Sequence, residues 1–149
     1  MRPPLPATRG DAFELAEFLR SVDLTVSGIG EPELHAWVDL DVDGRIVGCT
    51  GFELEGDQAL LRSVAVHPAL RHSGRGTELA RFAIRKAVES GATRAWLFSR
   101  RSGPFWESMG FTPSDVDELA NALPTSHQVR AFTESGQLRY ESAWSRSLP

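Results

Sequence analysis

Residues 59–90 read ALLRSVAVHPALRHSGRGTELARFAIRKAVES and fall into three pieces of different period. Leu60, Arg62, Val64 and Val66 share one face and Leu61, Ser63 and Ala65 the other, the alternation of a pleated strand. Pro68 ends it, because proline has no N–H for a ladder and restricts the residue before it. Beyond Gly74 and Gly76 the period changes. Ala80, Ile84, Ala87 and Val88, flanked by Leu79 and Ala83, form an apolar stripe, while Glu78, Arg81, Arg85 and Glu89 face away. The spacing predicts a helix that opens directly after Gly76 and closes at Ser90-Gly91. A strand, a glycine loop and a helix start in this order hold phosphate. First-turn amides lack intrahelical partners, the helix dipole favours an anion, and glycines let oxygens approach the backbone.

Two familiar glycine loops are excluded. A P-loop needs a lysine directly after its last glycine, and neither Gly74 nor Gly76 has one. A dinucleotide fingerprint needs a third small residue where Leu79 stands. Arg71 and Arg75 argue against a plain turn without a ligand.

Arg71-His72-Ser73-Gly74-Arg75-Gly76 reads R-x-x-G-x-G after a strand ending Ser63-Val64-Ala65-Val66-His67-Pro68. It resembles the acyl-CoA pyrophosphate loop of the GNAT family of N-acetyltransferases. Phe105-Trp106-Glu107-Ser108-Met109-Gly110-Phe111 resembles that family's YExxGF segment, with Trp106 in the tyrosine place. The likeness runs from about Leu5 to Thr112 and fades in the tail. It implies an α/β (α+β) fold: a mixed, mostly antiparallel sheet with a splayed parallel pair and flanking helices. It also implies acetyl-CoA as acyl donor. Val64, Ala65 and Val66 would meet the pantetheine arm, and Arg71, His72, Ser73, Gly74, Arg75, Gly76 and Thr77 the pyrophosphate, with the arginine side chains adding contacts. The strand from Ala59, Arg62 included, looks like that of the arsenic-resistance-associated and amino-acid-acetylating branches.

The other elements read outward from this centre. Leu5 to Thr8 suits a first edge strand, and Asp11 caps a helix carrying Leu15 and Phe18 inward. Glu31 to His35 predicts a second short helix, in a region that the resemblance assigns to the acceptor site. Trp37 to Asp41 and Ile46 to Leu54 are strands joined by a turn at Asp43-Gly44. Arg94 to Ser99 is a strand parallel to the central one, because a helical crossover joins them. A helix over Gly103 to Met109 and a turn at Pro113 follow. In the tail, Asp115 to Leu123 predicts a helix, Ser126 to Thr133 a further helical turn, and Tyr140 to Leu148 a last edge strand suited to homodimer pairing.

At 149 residues, with 41% hydrophobic and 24% charged content, the sequence suits a single domain over residues 1–149. A formal charge of -4 disfavours nucleic acid as a partner. No apolar run approaches the ~20 residues of a membrane helix, and MRPPLPATRG lacks the apolar core of a signal peptide. One cysteine, Cys49, excludes an internal disulfide and fits a cytoplasmic setting. No metal site is expected from the scattered histidines.

Attack of an amine on a thioester needs an oriented amine, a route for its proton and a donor for the developing oxyanion. A backbone N–H near Val64 suits the last role. Glu53 is the first candidate base and Glu55 the second. Trp106 cannot ionise usefully, so Ser108, with Ser99 and Ser102, is the candidate group toward the leaving thiol. Arg62, mid-strand among aliphatic residues, needs a carboxylate partner, either on the substrate or on a neighbouring strand, where Glu53 would serve. Trp37 is a candidate wall of the acceptor pocket. The expected activity is acetyl transfer to a small, amino-acid-like amine. The rivals are an acyl-CoA-binding module without catalysis and an enzyme acetylating protein amines.

Overall fold

The alternating run becomes strand β4 (Gln58–Val66), hydrogen-bonded along one side to β3 (Ile46–Glu55) in antiparallel register. β3 pairs in turn with β2 (Leu34–Leu40), and β2 with the short edge strand β1 (Leu5–Pro6). The β2–β3 turn is held by the Asp41 carboxylate, which accepts from the amides of Asp43 and Arg45 at 2.9 Å each. The computed structural model describes residues 2–149.

Helix α2 (Arg75–Glu89) returns the chain to β5 (Arg94–Phe98), the parallel neighbour of β4. It opens one residue before the second glycine and not after it: Gly74, at φ +85°, is the left-handed cap, and Gly76 lies in the first turn. On the same face as α2 lies α3 (Gly103–Ser108). Phe52, Ala59, Leu61 and Leu97 of the sheet meet Ala80, Ala83 and Ala87 of α2 and Trp106, Met109 and Phe111 after it. On the opposite face α1 (Ala12–Ser21) covers Val38, Ile46 and Cys49. There too α4 (Val116–Ala122) and α5 (His127–Ser135) cover Leu60 and Trp96.

Four further expectations change. Glu31 to His35 is not a helix: turns bonded Glu31 N to Gly28 O and Leu34 N to Glu31 O lead straight into β2. Too few residues separate Gly30 from the alternating Leu34, Ala36 and Val38 to offset helix nucleation. Pro113 sits in an edge strand, β6 (Thr112–Ser114), where a missing N–H is tolerated. The C-terminal strand β7 (Ala143–Ser147) is no edge. The sheet order is β1-β2-β3-β4-β5-β7-β6, so β7 is paired on both sides and offers no open ladder to a second copy.

The fourth change lies in β4 itself. Cys49 pairs with Ala65 but Gly51 with Arg62, so β4 carries one extra residue between these pairs, and Ser63 there has φ 61°. This bulge resets the alternation. Val64 thereby joins Ala59 and Leu61 on the α2 face, and Ala65 joins Cys49 on the α1 face.

Candidate active site

β4 and β5 run side by side only from Gln58/Arg94 to Leu60/Trp96, although β4 continues to Val66 and β5 to Phe98. Beyond that point the sheet is split. His67 donates its N–H to Val47 O at 2.7 Å, on the β3 side. Strand alternation therefore turns the main-chain groups of Val64 and Val66 toward the split, and Ala65 toward β3. The gap is lined by backbone donors and acceptors of a half-exposed strand end.

The split leads to the glycine loop. A 3-10 turn at Pro68–Leu70, with His67 Nδ1 accepting from Ala69 N at 3.1 Å, swings the chain out of the sheet. Ser73 Oγ donates to Leu70 O at 2.5 Å and accepts from Arg75 N at 3.3 Å, fixing the loop's curvature. The bond from Glu78 N to Gly74 O, at 3.2 Å, opens the helical ladder, so the amides of Gly76 and Thr77 stand ahead of it. A Cβ added at Gly74 or Gly76 would meet no atom within 4 Å. The concavity is therefore open where a phosphate would sit, and the residues present fit one.

The side chain of Arg75 does not share in this. It is 7% exposed, bonded through Nε to Asp39 Oδ2 at 2.5 Å, and also reaches Glu78 and Arg2 O. It ties α2 to β2, so only its backbone remains for the loop. Arg71, His72 and Ser73 are exposed on the loop.

On the other face of β4, Arg62 Nη1 bonds to Glu53 Oε2 at 3.0 Å, with both side chains buried. Glu53 also accepts from the amides of His127 (2.6 Å) and Gln128 (3.2 Å) at the start of α5. Burial lowers the pKa of Arg62, and the Glu53 charge and hydrogen bond oppose that shift. Three donors on a carboxylate 3% exposed suit an anchor for Arg62 and not a base reaching for an amine. Arg62 Nη2 meets Thr25 O at 3.3 Å, and Gln128 Nε2 donates to Thr25 Oγ1 at 2.9 Å. Glu55 is engaged by the amide and hydroxyl of Thr125.

Ser108 is exposed and its hydroxyl donates to Phe105 O, back along its own helix. Trp106 is buried edge-on to Phe105 and Phe111. Trp37 packs on Phe52 and Phe82 on the α2 face, opposite to Arg62, and lines a cavity of about 430 Å³ with Thr8, Ile29 and His35. The two substrate candidates are thus not brought together. Cys49 lies in the core, where burial pushes its thiol up to about 12. Among the described residues no cluster suits a metal ion, and no helix is long and apolar enough to cross a membrane. The contacts of Thr25, Gln128 and the α5 amides were missed by sequence reasoning, which read only a further helical turn over Ser126 to Thr133; a Ser126 cap and the left-handed Gly136 bound the helix that forms there.

A split parallel pair feeding a glycine loop at a helix start defines an acyl-CoA-type transferase fold. The family profile described as "Acetyltransferase (GNAT) family" matches residues 4–111, and the chain belongs to that family. Among curated relatives, an amino-acid acetyltransferase of Aeromonas salmonicida is 31% identical over 91 residues, covering 60% of this chain and 21% of the relative. The chain thus spans about a fifth of that protein. A GNAT-family acetyltransferase from Staphylococcus aureus superposes with TM-score 0.78 at 16% identity, covering 99% of both chains. N-acetylglutamate synthase from Neisseria gonorrhoeae, crystallised with coenzyme A and N-acetyl-glutamate, gives TM-score 0.71 at 21% identity, covering 94% of this chain and 33% of that one.

Proposed function

We propose that the chain is an acetyl-CoA-dependent N-acetyltransferase acting on the amine of a small, amino-acid-like acceptor. The observation that carries this reading is the parting of β4 from β5 after Leu60/Trp96, in line with the open loop over Gly74 and Gly76. When bound, the donor supplies an acetyl thioester to a neutral amine. The chain's own part is positioning. Main-chain groups of Val64 and Val66 align the pantetheine arm as a short added strand, and the amides of Gly76 and Thr77 take the pyrophosphate. Orientation of this kind supplies several kcal/mol of the acceleration. The N–H of Val64 faces the split and can meet developing negative charge. With Trp106 in the core and Ser108 bonded to its own helix, the thiol leaves without a side-chain acid, which an ordinary thiol pKa of about 8.5 allows. Support for the acceptor class comes from the relatives named amino-acid acetyltransferase; Arg62 adds none, because Glu53 is the carboxylate that meets it.

Thermal unfolding with and without acetyl-CoA tests the donor, with NADH and ATP as controls. At a hundredfold excess over Kd, binding adds about 2.7 kcal/mol, an upward shift of several degrees. Thiol release with added amines then tests catalysis. Stabilisation without release for any amine would leave an acyl-CoA-binding module.

A further inference from the structure

The cation at the start of the donor helix is turned away from the donor. Arg75 opens α2 beside the amides of Gly76 and Thr77, where a guanidinium pointing outward would meet phosphate directly. Its side chain is buried instead and held on three sides: Nε by Asp39 Oδ2 at 2.5 Å, Nη1 by Glu78 Oε2 at 3.5 Å and Nη2 by Arg2 O at 3.2 Å. Gly48, opposite Asp39 on β3, lets strand and helix close around the pair. A Cβ there would lie 3.3 Å from Asp39 Cβ and 3.1 Å from Leu79. Two carboxylates thus meet one guanidinium, and the set is net negative beside a site for phosphate. A cavity of about 270 Å³, lined by Arg2, Asp39, Leu70, Ser73 and Arg75, joins this seat to the loop. It leaves the guanidinium room to swing toward Ser73 once its carboxylates lose their charge.

We infer that Asp39, assisted by Glu78, is a positioning residue that keeps Arg75 off the donor's phosphates, so that the main-chain amides alone grip them and spent CoA leaves readily. The inference rests on the acetyltransferase reading above. Each turnover takes in acetyl-CoA and must release CoA, which carries the same phosphates. A further charge-assisted contact would hold both alike, lowering KM without helping the chemical step and slowing product release. Charge cancellation by Asp39 and Glu78 also removes the longer-range pull of Arg75 on an anion.

The test is calorimetry of the full chain with CoA, comparing wild type with Asp39→Asn, which keeps an oxygen for the Nε–H of Arg75 and loses the charge. The variant should bind CoA about tenfold more tightly at low salt, and the gain should shrink to about twofold at about 0.5 M salt. Adding Arg75→Met to Asp39→Asn should erase the gain. In thiol-release assays the inhibition constant of CoA against acetyl-CoA should fall by the same factor as its Kd. Lost packing weakens binding or leaves it unchanged, so a gain separates this role from a structural one. Glu78→Gln, at a half-exposed side chain, is the second variant and should tighten CoA about threefold. If Asp39→Asn fails to fold, Glu78→Gln decides alone. Variants that bind CoA no more tightly than wild type overturn the inference and leave the donor reading standing, as does a gain that survives Arg75→Met. Wild type that does not bind CoA sinks the donor reading as well.

Discussion

At the scale of single residues, burial decides which side chains are available for chemistry. Glu53 and Arg62 hold each other inside the protein, and either one alone would be an uncompensated buried charge. Glu53→Ala or Arg62→Ala should each cost about 3–5 kcal/mol in urea unfolding, and the pair replaced together by Leu and Met should recover much of that loss. If each single variant costs under about 1 kcal/mol, the pair is not the anchor described. Cys49 gives a second reading of burial. With its thiol pushed up to about 12, it stays protonated at pH 8, and a thiol reagent should label it only after denaturant is added. Rapid labelling of folded protein would contradict the packing around it.

At the scale of elements, the loop before α2 separates conformational from binding demands. Gly74 sits at φ +85°, so Gly74→Ala strains the cap and should lower stability by about 1 kcal/mol. Gly76 lies in the helix with a negative φ and open space beyond, so Gly76→Ala should raise stability by about 0.5–1 kcal/mol. The same methyl would weaken acetyl-CoA binding by entering the phosphate's place. Calorimetry finding Gly76→Ala more stable with unchanged Kd would remove the loop from donor binding. These elements were legible from sequence because their periods are local: the alternation from Leu60 and the stripe from Leu79 each need only a few neighbours. The bulge was not legible. Serine carries no signal for a left-handed residue inside a strand, yet Ser63 moves Val64 onto the face opposite to the one alternation gives it. The contacts around Arg62 were hidden for a related reason. Thr25 and Gln128 meet across 103 residues, and no window of sequence holds both.

At the scale of the whole molecule, strand order was the other thing that local pattern did not carry. Tyr140 to Leu148 has the alternation of a strand, but nothing in it says that it threads between β5 and β6. The family match ends at residue 111, whereas the sheet is closed by residues 143–147. A chain of residues 1–111 therefore keeps the matched region and exposes the far side of β5, including Trp96 and its uncovered neighbour Leu60. Such a fragment should aggregate on expression, while the full chain stays in solution; a well-behaved fragment in ultracentrifugation would show that β7 is dispensable. β7 leaves the ribosome long after β5, the strand it must pair with. Through that interval the nascent chain carries an open ladder along β5, and a holdase chaperone should bind most strongly to chains arrested within it.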